Sequence, residues 1–387
     1  MAEPIFSTDV TSGNGKLLEL RRGESAWVVR FMPESRTSPQ ALWFNFSLSG
    51  LDGAPVRLIW DNADITLGGA ANLDQVRPVL RAAGGDWRRA DEVSVIQTPD
   101  GRRQVVFEQS EPCEALQVAF CYPYGPEDLQ ATLDELRGAW EPAVIGLTRE
   151  GRELPRLRQV ERHHDGPLPG VLFMARQHAG ETPGSWLMDG ILRFIASDDP
   201  VARSWRGRFD CWLVPFADLD GVVNGDYGKD ALPWDFNRAW ERLPMRPEVY
   251  ALQQDLRRFV SATAPRVVID LHAPVHATPD LFHHLPRDQR PLAQMQAARE
   301  FTAHTAPQFS ELDPASVARP TRYASRWNAL AMLGSWVWDN LDHTLATTIE
   351  TSYQRLAGKV LEPDGYRDIG RRVVLAVMSW LDEQTGA

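Results

Sequence analysis

Val171-Leu-Phe-Met-Ala-Arg-Gln-His178-Ala-Gly-Glu181-Thr-Pro-Gly-Ser-Trp-Leu-Met-Asp-Gly-Ile-Leu-Arg-Phe-Ile195 reads as strand, turn and helix in succession. The apolar run 171–175 is bounded by polar residues, as a buried strand is. Trp186, Leu187, Ile191, Leu192 and Ile195 then recur with helical spacing. Thr182-Pro183 supplies a helix start, a hydroxyl able to cap free amides followed by a proline tolerated in the first turn. His178 and Glu181 therefore fall where strand gives way to helix, close enough for an imidazole nitrogen and a carboxylate to meet on one small cation. Zinc takes this mix of ligands and keeps a position open for water when the site is catalytic. A lone His-x-x-Glu is also read as a solvated loop histidine beside a helix-start glutamate favoured by the dipole. A third candidate, His272, closes a second apolar strand, Val267-Val-Ile-Asp-Leu-His272. Two strands of one sheet can deliver all three groups to one edge, since open α/β sheets build sites at the carboxyl ends of their strands.

Outward from this unit, strand and helix patterns alternate. Strands are expected at residues 144–148, 157–160, 211–216, 267–271 and 344–349, and helices at 127–140, 247–260, 291–303 and 365–381. Alternation of this kind predicts an α/β domain with helices on both faces of a mixed sheet. The first 125 residues differ. Short alternating segments such as Ala26-Trp-Val-Val-Arg-Phe31, Ala41-Leu-Trp-Phe-Asn-Phe-Ser-Leu48, Val56-Arg-Leu-Ile-Trp60, Gln104-Val-Val-Phe107 and Leu116-Gln-Val-Ala-Phe120 are separated by Gly, Asp, Asn and Pro clusters. That spacing is expected of an antiparallel β-sandwich. With a boundary at Tyr122-Pro-Tyr-Gly-Pro126, the expected division is a sandwich over 1–125 and the α/β domain over 126–387.

A chain of 387 residues can hold two such units. Its net charge of −11 argues against a nucleic-acid or anionic-membrane partner, since both need clustered cations. Cys113, Cys121 and Cys211 follow no metal or redox spacing and are expected to be reduced core thiols. Neither a leader-like start nor a membrane-length apolar run is seen, so a cytoplasmic protein is expected.

Two more stretches put polar residues after apolar strands. One is the Gly/Asp-rich segment 215–240, which contains Asp235-Phe-Asn237-Arg238; the other is Thr347-Thr-Ile-Glu350. Singly, each has an ordinary reading as a surface pair or a solvated strand end. Together, His-x-x-Glu, Asp-x-Asn-Arg, Asp-Leu-His and Ile-Glu, in this order on an α/β background, resemble the M14 zinc carboxypeptidases. Ala175-Arg-Gln-His-Ala-Gly-Glu-Thr182, Asp220-Gly-Val-Val-Asn-Gly-Asp-Tyr227 and Phe120-Cys-Tyr-Pro-Tyr124 narrow the resemblance to the cytosolic carboxypeptidase-like subgroup, in which a β-sandwich precedes the catalytic domain.

The resemblance implies one zinc ion per chain held by His178, Glu181 and His272, with Asp235 orienting the first imidazole. It implies that Asn237 and Arg238 grip the free C-terminal carboxylate of a peptide or protein substrate, a task suited to a guanidinium fork. Glu350 is implied as the general base for zinc-activated water, and Tyr323 is the candidate for a substrate-contacting tyrosine. One departure stands out. The arginine with which the family polarises the scissile carbonyl falls on Gly228, and Lys229 beside it is the candidate replacement in catalysis. Two rival readings remain: an amidase or deacylase of a small carboxylate-bearing N-acyl substrate on the same scaffold, or a catalytically weakened binding module. The pairs His163-His164 and His283-His284 are read as solvated loops, His276 as a loop histidine, and Arg176 as an ion pair or a substrate contact. Nothing in the sequence fixes an oligomeric state.

Overall fold

The computed structural model describes residues 3–161, 166–241, 243–285, 292–320, 331–342 and 344–386. The expected helix and strand at 183–196 and 168–175 are present, within a chain that builds two large sheets.

The first sheet contains β1 (Ile5–Ser7), β2 (Lys16–Arg22), β3 (Trp27–Met32), β4 (Asn45–Trp60), β5 (Val79–Ala82), β6 (Arg88–Arg89), β7 (Ser94–Gln97) and β8 (Arg103–Ala119). The two long strands organise it. β4 pairs with β1 through its first half and with β3 through its second, while β8 pairs with β7 at one end and β5 at the other. The β4–β8 register shifts near Ser49 and Ala54, where Gly50, Asp52 and Gly53 take positive φ. Such an irregularity bends a strand. The two halves then face each other: Phe31, opposite Trp60 in the β3–β4 pair, packs on Phe46 of the other half with ring centroids 4.7 Å apart. Phe44, Phe107 and Phe120 join them in a buried aromatic core. All pairings among the described strands of this sheet are antiparallel except β3 with β4.

After α1 (Pro126–Glu135) the second sheet begins with β9 (Trp140–Leu147) and β10 (Glu153–Gln159). There follow β11 (Leu168–Ala175), α2 (Pro183–Ala196), α3 (Pro200–Arg208), β12 (Asp210–Val214), α4 (Leu219–Asn224), α5 (Pro247–Ala262), β13 (Thr263–His272), β14 (Leu281–Leu285), α6 (Leu292–Thr305), β15 (Ala318–Pro320), α7 (Leu333–Asn340), β16 (Thr344–Thr351) and α8 (Pro363–Thr385). The strand order is β15-β14-β16-β13-β11-β12-β10-β9. Its centre, β12-β11-β13-β16, is parallel and its β9–β10 flank antiparallel, so the sheet is mixed as expected. The centres of the parallel strands (residues 171–175, 211–214, 267–269 and 345–346) are apolar and buried, as strands covered on both faces are. Helices α2 and α8 pack together against β13, α5 packs on β9, β11 and β13, and α7 packs on β16.

Register fixes where the chemistry falls. Ala175 pairs with Leu271, and His272 with Glu350, so the carboxyl ends of β11, β13 and β16 lie flush at one edge. The expected helix at 127–140 is shorter: α1 ends at Glu135, Gly138 turns at φ +78°, and Trp140 opens a strand. The three thiols are buried and unpaired. No described helix is long and apolar enough to cross a membrane.

Candidate metal centre

At the end of β11 the chain turns through Arg176, a buried residue at φ +63°. Its guanidinium donates to Ala179 O, to Ser185 Oγ at 2.9 Å and to Tyr124 O at 3.0 Å, which ties the turn to α2 and to the segment before α1. Arg176 is therefore a brace of hydrogen bonds to carbonyl and hydroxyl oxygens. Thr182 departs from expectation. Its hydroxyl makes no cap hydrogen bond, and the helix starts on Pro183 alone.

This turn brings His178 and Glu181 to the sheet edge, and β13 brings His272. One nitrogen or oxygen from each lies within 4.8 Å of the others, and all three residues are buried. His178 Nδ1 is 2.9 Å from Glu181 Oε1, His272 Nδ1 is 2.7 Å from Glu181 Oε2, and the two Nδ1 atoms are 3.2 Å apart. Two nitrogens each ~2.0–2.1 Å from a tetrahedral zinc would lie about 3.3 Å apart. The distal nitrogens complete the arrangement. His178 Nε2 meets Asp235 Oδ1 at 3.2 Å, and His272 Nε2 meets Asp270 Oδ2 at 2.9 Å. A carboxylate on the far nitrogen fixes the tautomer and leaves the near nitrogen's lone pair free for a cation.

The electrostatics agree. Burial pushes both imidazoles down, but Glu181 and Asp235 around His178, and Asp270 and Glu181 around His272, hold them above the usual range. Burial likewise raises Glu181 and Asp235, and the histidines beside them bring both below the ordinary carboxylate range. Such a cluster keeps protons that a divalent cation displaces.

The second sphere is held in turn. Asp270 Oδ2 accepts from Gln177 Nε2 at 2.6 Å, and Trp240 Nε1 donates to Gln177 Oε1 at 2.7 Å. Asp270 went unassigned in the sequence, although two residues apart on a strand it shares a face with His272. Asn237 Nδ2 lies 3.1 Å from His272 Nε2, and its Oδ1 accepts from Leu333 N at 3.1 Å. Its amide thus abuts the His178–Glu181–His272 group in addition to neighbouring Arg238, which is buried and donates to Asn237 O at 2.7 Å. Lys229 Nζ sits 3.5 Å from Glu181 Oε1. Burial lowers this ammonium, and Glu181, Glu350 and Asp235 together raise it above the ordinary lysine value. Its loop is strapped down by the first sheet's connection: Ser38 Oγ donates to Lys229 O, Gln40 Nε2 donates to Asp230 Oδ2 at 3.0 Å, and Leu232 N donates to Thr37 O at 2.8 Å.

Glu350 closes the group from β16, buried, with Oε1 3.0 Å from His284 Nε2. His283 and His284, expected in a solvated loop, lie in β14, which pairs antiparallel with β16. Two histidines in a row carry no apolar alternation, so the strand was hidden in the sequence. His276 lies in a turn as expected, and is buried there against Gly68 of the first half of the chain. Tyr323 and the pair His163-His164 lie outside the described residues.

A family model described as zinc carboxypeptidase matches residues 129–258. Cytosolic carboxypeptidase 6 of Caenorhabditis elegans is 30% identical over 293 residues, 70% of this chain and 62% of the relative. The mouse protein of that name is 26% identical over 294 residues, 70% of this chain and 53% of the relative. The chain thus spans between about half and three fifths of the curated relatives' length. A metallo-carboxypeptidase structure from Burkholderia cenocepacia superposes with a TM-score of 0.79 at 20% identity, covering 98% of this chain and 99% of that one, which establishes a shared fold.

Proposed function

The chain belongs to the zinc carboxypeptidase family, in its cytosolic carboxypeptidase-like branch, and from that premise we propose that it is a metallocarboxypeptidase removing the C-terminal residue of peptides or proteins. The observation that carries this reading is the buried His178–Glu181–His272 cluster with a carboxylate behind each imidazole and Glu350 in register with His272. Its two-nitrogen, one-carboxylate donor set fits one zinc ion. Bound there, zinc supplies a Lewis acid that polarises a carbonyl and brings the pKa of water to about 7.

The remaining work falls to side chains. Asp235 and Asp270 hold the imidazoles in orientation. Glu350 takes the proton of the attacking water and returns it to the leaving amine. Arg238 pairs with the substrate's terminal carboxylate through its planar fork, with Asn237 as its neighbour. Lys229 donates to the oxygen on which negative charge develops. A cytoplasmic location accords with the relatives' names and is part of the same proposal.

The test is a digest of a peptide library with zinc present, read by mass spectrometry, alongside the same peptides with amidated C-termini. Loss of single residues from free C-termini, near-complete resistance of the amides, and one zinc per chain are expected. Equal cleavage of amidated peptides would transfer the reading to an amidase. Bound zinc without turnover on any free C-terminus would leave a binding module.

Gly228 accounts for the use of lysine. It sits at φ +89°, and a Cβ there would lie 2.8 Å from Ala179 N and 3.3 Å from His178 Cα. An arginine at this place would strain the backbone and push on the turn that carries a ligand. Gly228→Arg is therefore expected to lower stability by about 2–4 kcal/mol, combining the left-handed penalty with overpacking. Thermal unfolding and zinc content would check this; a variant as stable as the parent and more active would contradict it.

A further inference from the structure

The β14–β16 pair sets Phe282 opposite Glu350 and His284 opposite Thr348. Residues diagonal to one another across an antiparallel pair share a face and stay within reach of long side chains. His284 and Glu350 are such a pair, and His284 Nε2 lies 3.0 Å from Glu350 Oε1. Among the described residues this imidazole is the one hydrogen-bond partner of the Glu350 carboxylate, whose Oε2 is buried and unbonded. The imidazole is itself braced. Its ring stands edge-on to Phe282, centroids 5.3 Å apart at 89°, and the Arg319 guanidinium covers Phe282 at 4.0 Å. His283, on the opposite face, does something else: it is fully buried, bonds Thr347 Oγ1 at 3.1 Å and packs on Phe301.

We propose that His284 is the positioning residue of the general base, its Nε2–H holding Oε1 of Glu350 so that Oε2 is the oxygen presented to the attacking water. This rests on the reading of Glu350 as the base. A carboxylate free to turn about its last torsion offers either oxygen in many directions, and a catalytic group off its line of attack loses rate without losing substrate affinity. His284 removes that freedom from β14, which flanks β16 on the side away from β13 and its His272. It touches no reacting atom.

The experiment compares His284→Ala, His284→Asn and His284→Gln with Glu350→Gln in zinc-loaded enzyme on a susceptible peptide. Glutamine can carry an N–H close to the place of Nε2, and asparagine is one methylene too short. The Ala and Asn variants are expected to lose about tenfold to thirtyfold in kcat, a fraction of what effective positioning contributes, with KM and zinc content unchanged. Gln should recover most of the loss, and His284→Ala combined with Glu350→Gln should be no slower than Glu350→Gln alone. A purely structural role would weaken all three variants alike and lower zinc content or melting temperature with activity. Parental kcat in His284→Ala, or equal loss in the Gln and Asn variants, while Glu350→Gln is inert, would overturn the inference. Full turnover by Glu350→Gln would overturn the assignment of the base and the inference with it.

Discussion

Glu350→Gln should lower kcat by about a thousandfold while zinc content and KM stay near the parent values, since general acid–base catalysis contributes ~10²–10⁴-fold. The substitution keeps the size of the side chain and leaves an oxygen able to accept from His284, so the local packing has little reason to change. What disappears is the capacity to take a proton. Burial pushes the Glu350 carboxyl up, but the His284 hydrogen bond and the Lys229 charge bring it below the ordinary glutamate range. It is therefore ionised at neutral pH, the form a base requires. Steady-state kinetics on a peptide with a free C-terminus, with metal content measured on the same preparations, decides the matter. Turnover within tenfold of the parent would remove Glu350 from the mechanism. A loss of zinc in parallel with activity would make it a structural support of the cluster.

Much of this arrangement could be read from residue order. Strand β13 carries the apolar run Val267-Val-Ile269 and ends on His272, and β16 carries Glu350 one residue before its end, so their parallel pairing needed only the α/β alternation to place the two side by side. The first sheet was legible in its core residues but not in its strand lengths. Ala41 to Leu48 and Val56 to Trp60 read as two strands because Gly50, Asp52 and Gly53 look like a turn. In the structure these residues bend β4 without ending it, since glycine and aspartate tolerate the left-handed backbone found there. Residues 104–107 and 116–120 are likewise two ends of the single strand β8. The partners of the ligands were less visible. Asp270 follows from strand periodicity once β13 is known, whereas Gln177 and His284 act through contacts between elements far apart in sequence. Local pattern carries no information on such pairs, because it reports which face a residue occupies and not what stands opposite.

Lys229→Met should lower kcat/KM by about a hundredfold to a thousandfold, the ~3–4 kcal/mol expected when one donor to a developing oxyanion is removed. The position is suggestive for three reasons. The neighbouring Gly228 cannot carry a cation without colliding with the His178 turn. The ammonium stays charged because Glu181, Glu350 and Asp235 outweigh its burial. Its main-chain carbonyl is also pinned from the first half of the molecule by Ser38, with Gln40 holding the neighbouring Asp230 and Thr37 the nearby Leu232, so the side chain projects from a fixed base. A competing account is that Lys229 only balances the charge of Glu181, 3.5 Å away. The two accounts separate in the metal dependence. A lysine that merely balances charge changes the zinc affinity of the cluster, and its removal is harmless once zinc is saturating. A lysine that stabilises the transition state leaves zinc stoichiometry intact and depresses kcat at every zinc concentration. Lys229→Arg distinguishes them again, since the planar guanidinium keeps the charge but not the compact geometry of an ammonium. It should restore zinc affinity under the first account and recover only part of the lost rate under the second. Parental kcat in zinc-saturated Lys229→Met would leave this enzyme without a side-chain oxyanion donor on that loop, and the polarising role would fall to the metal alone.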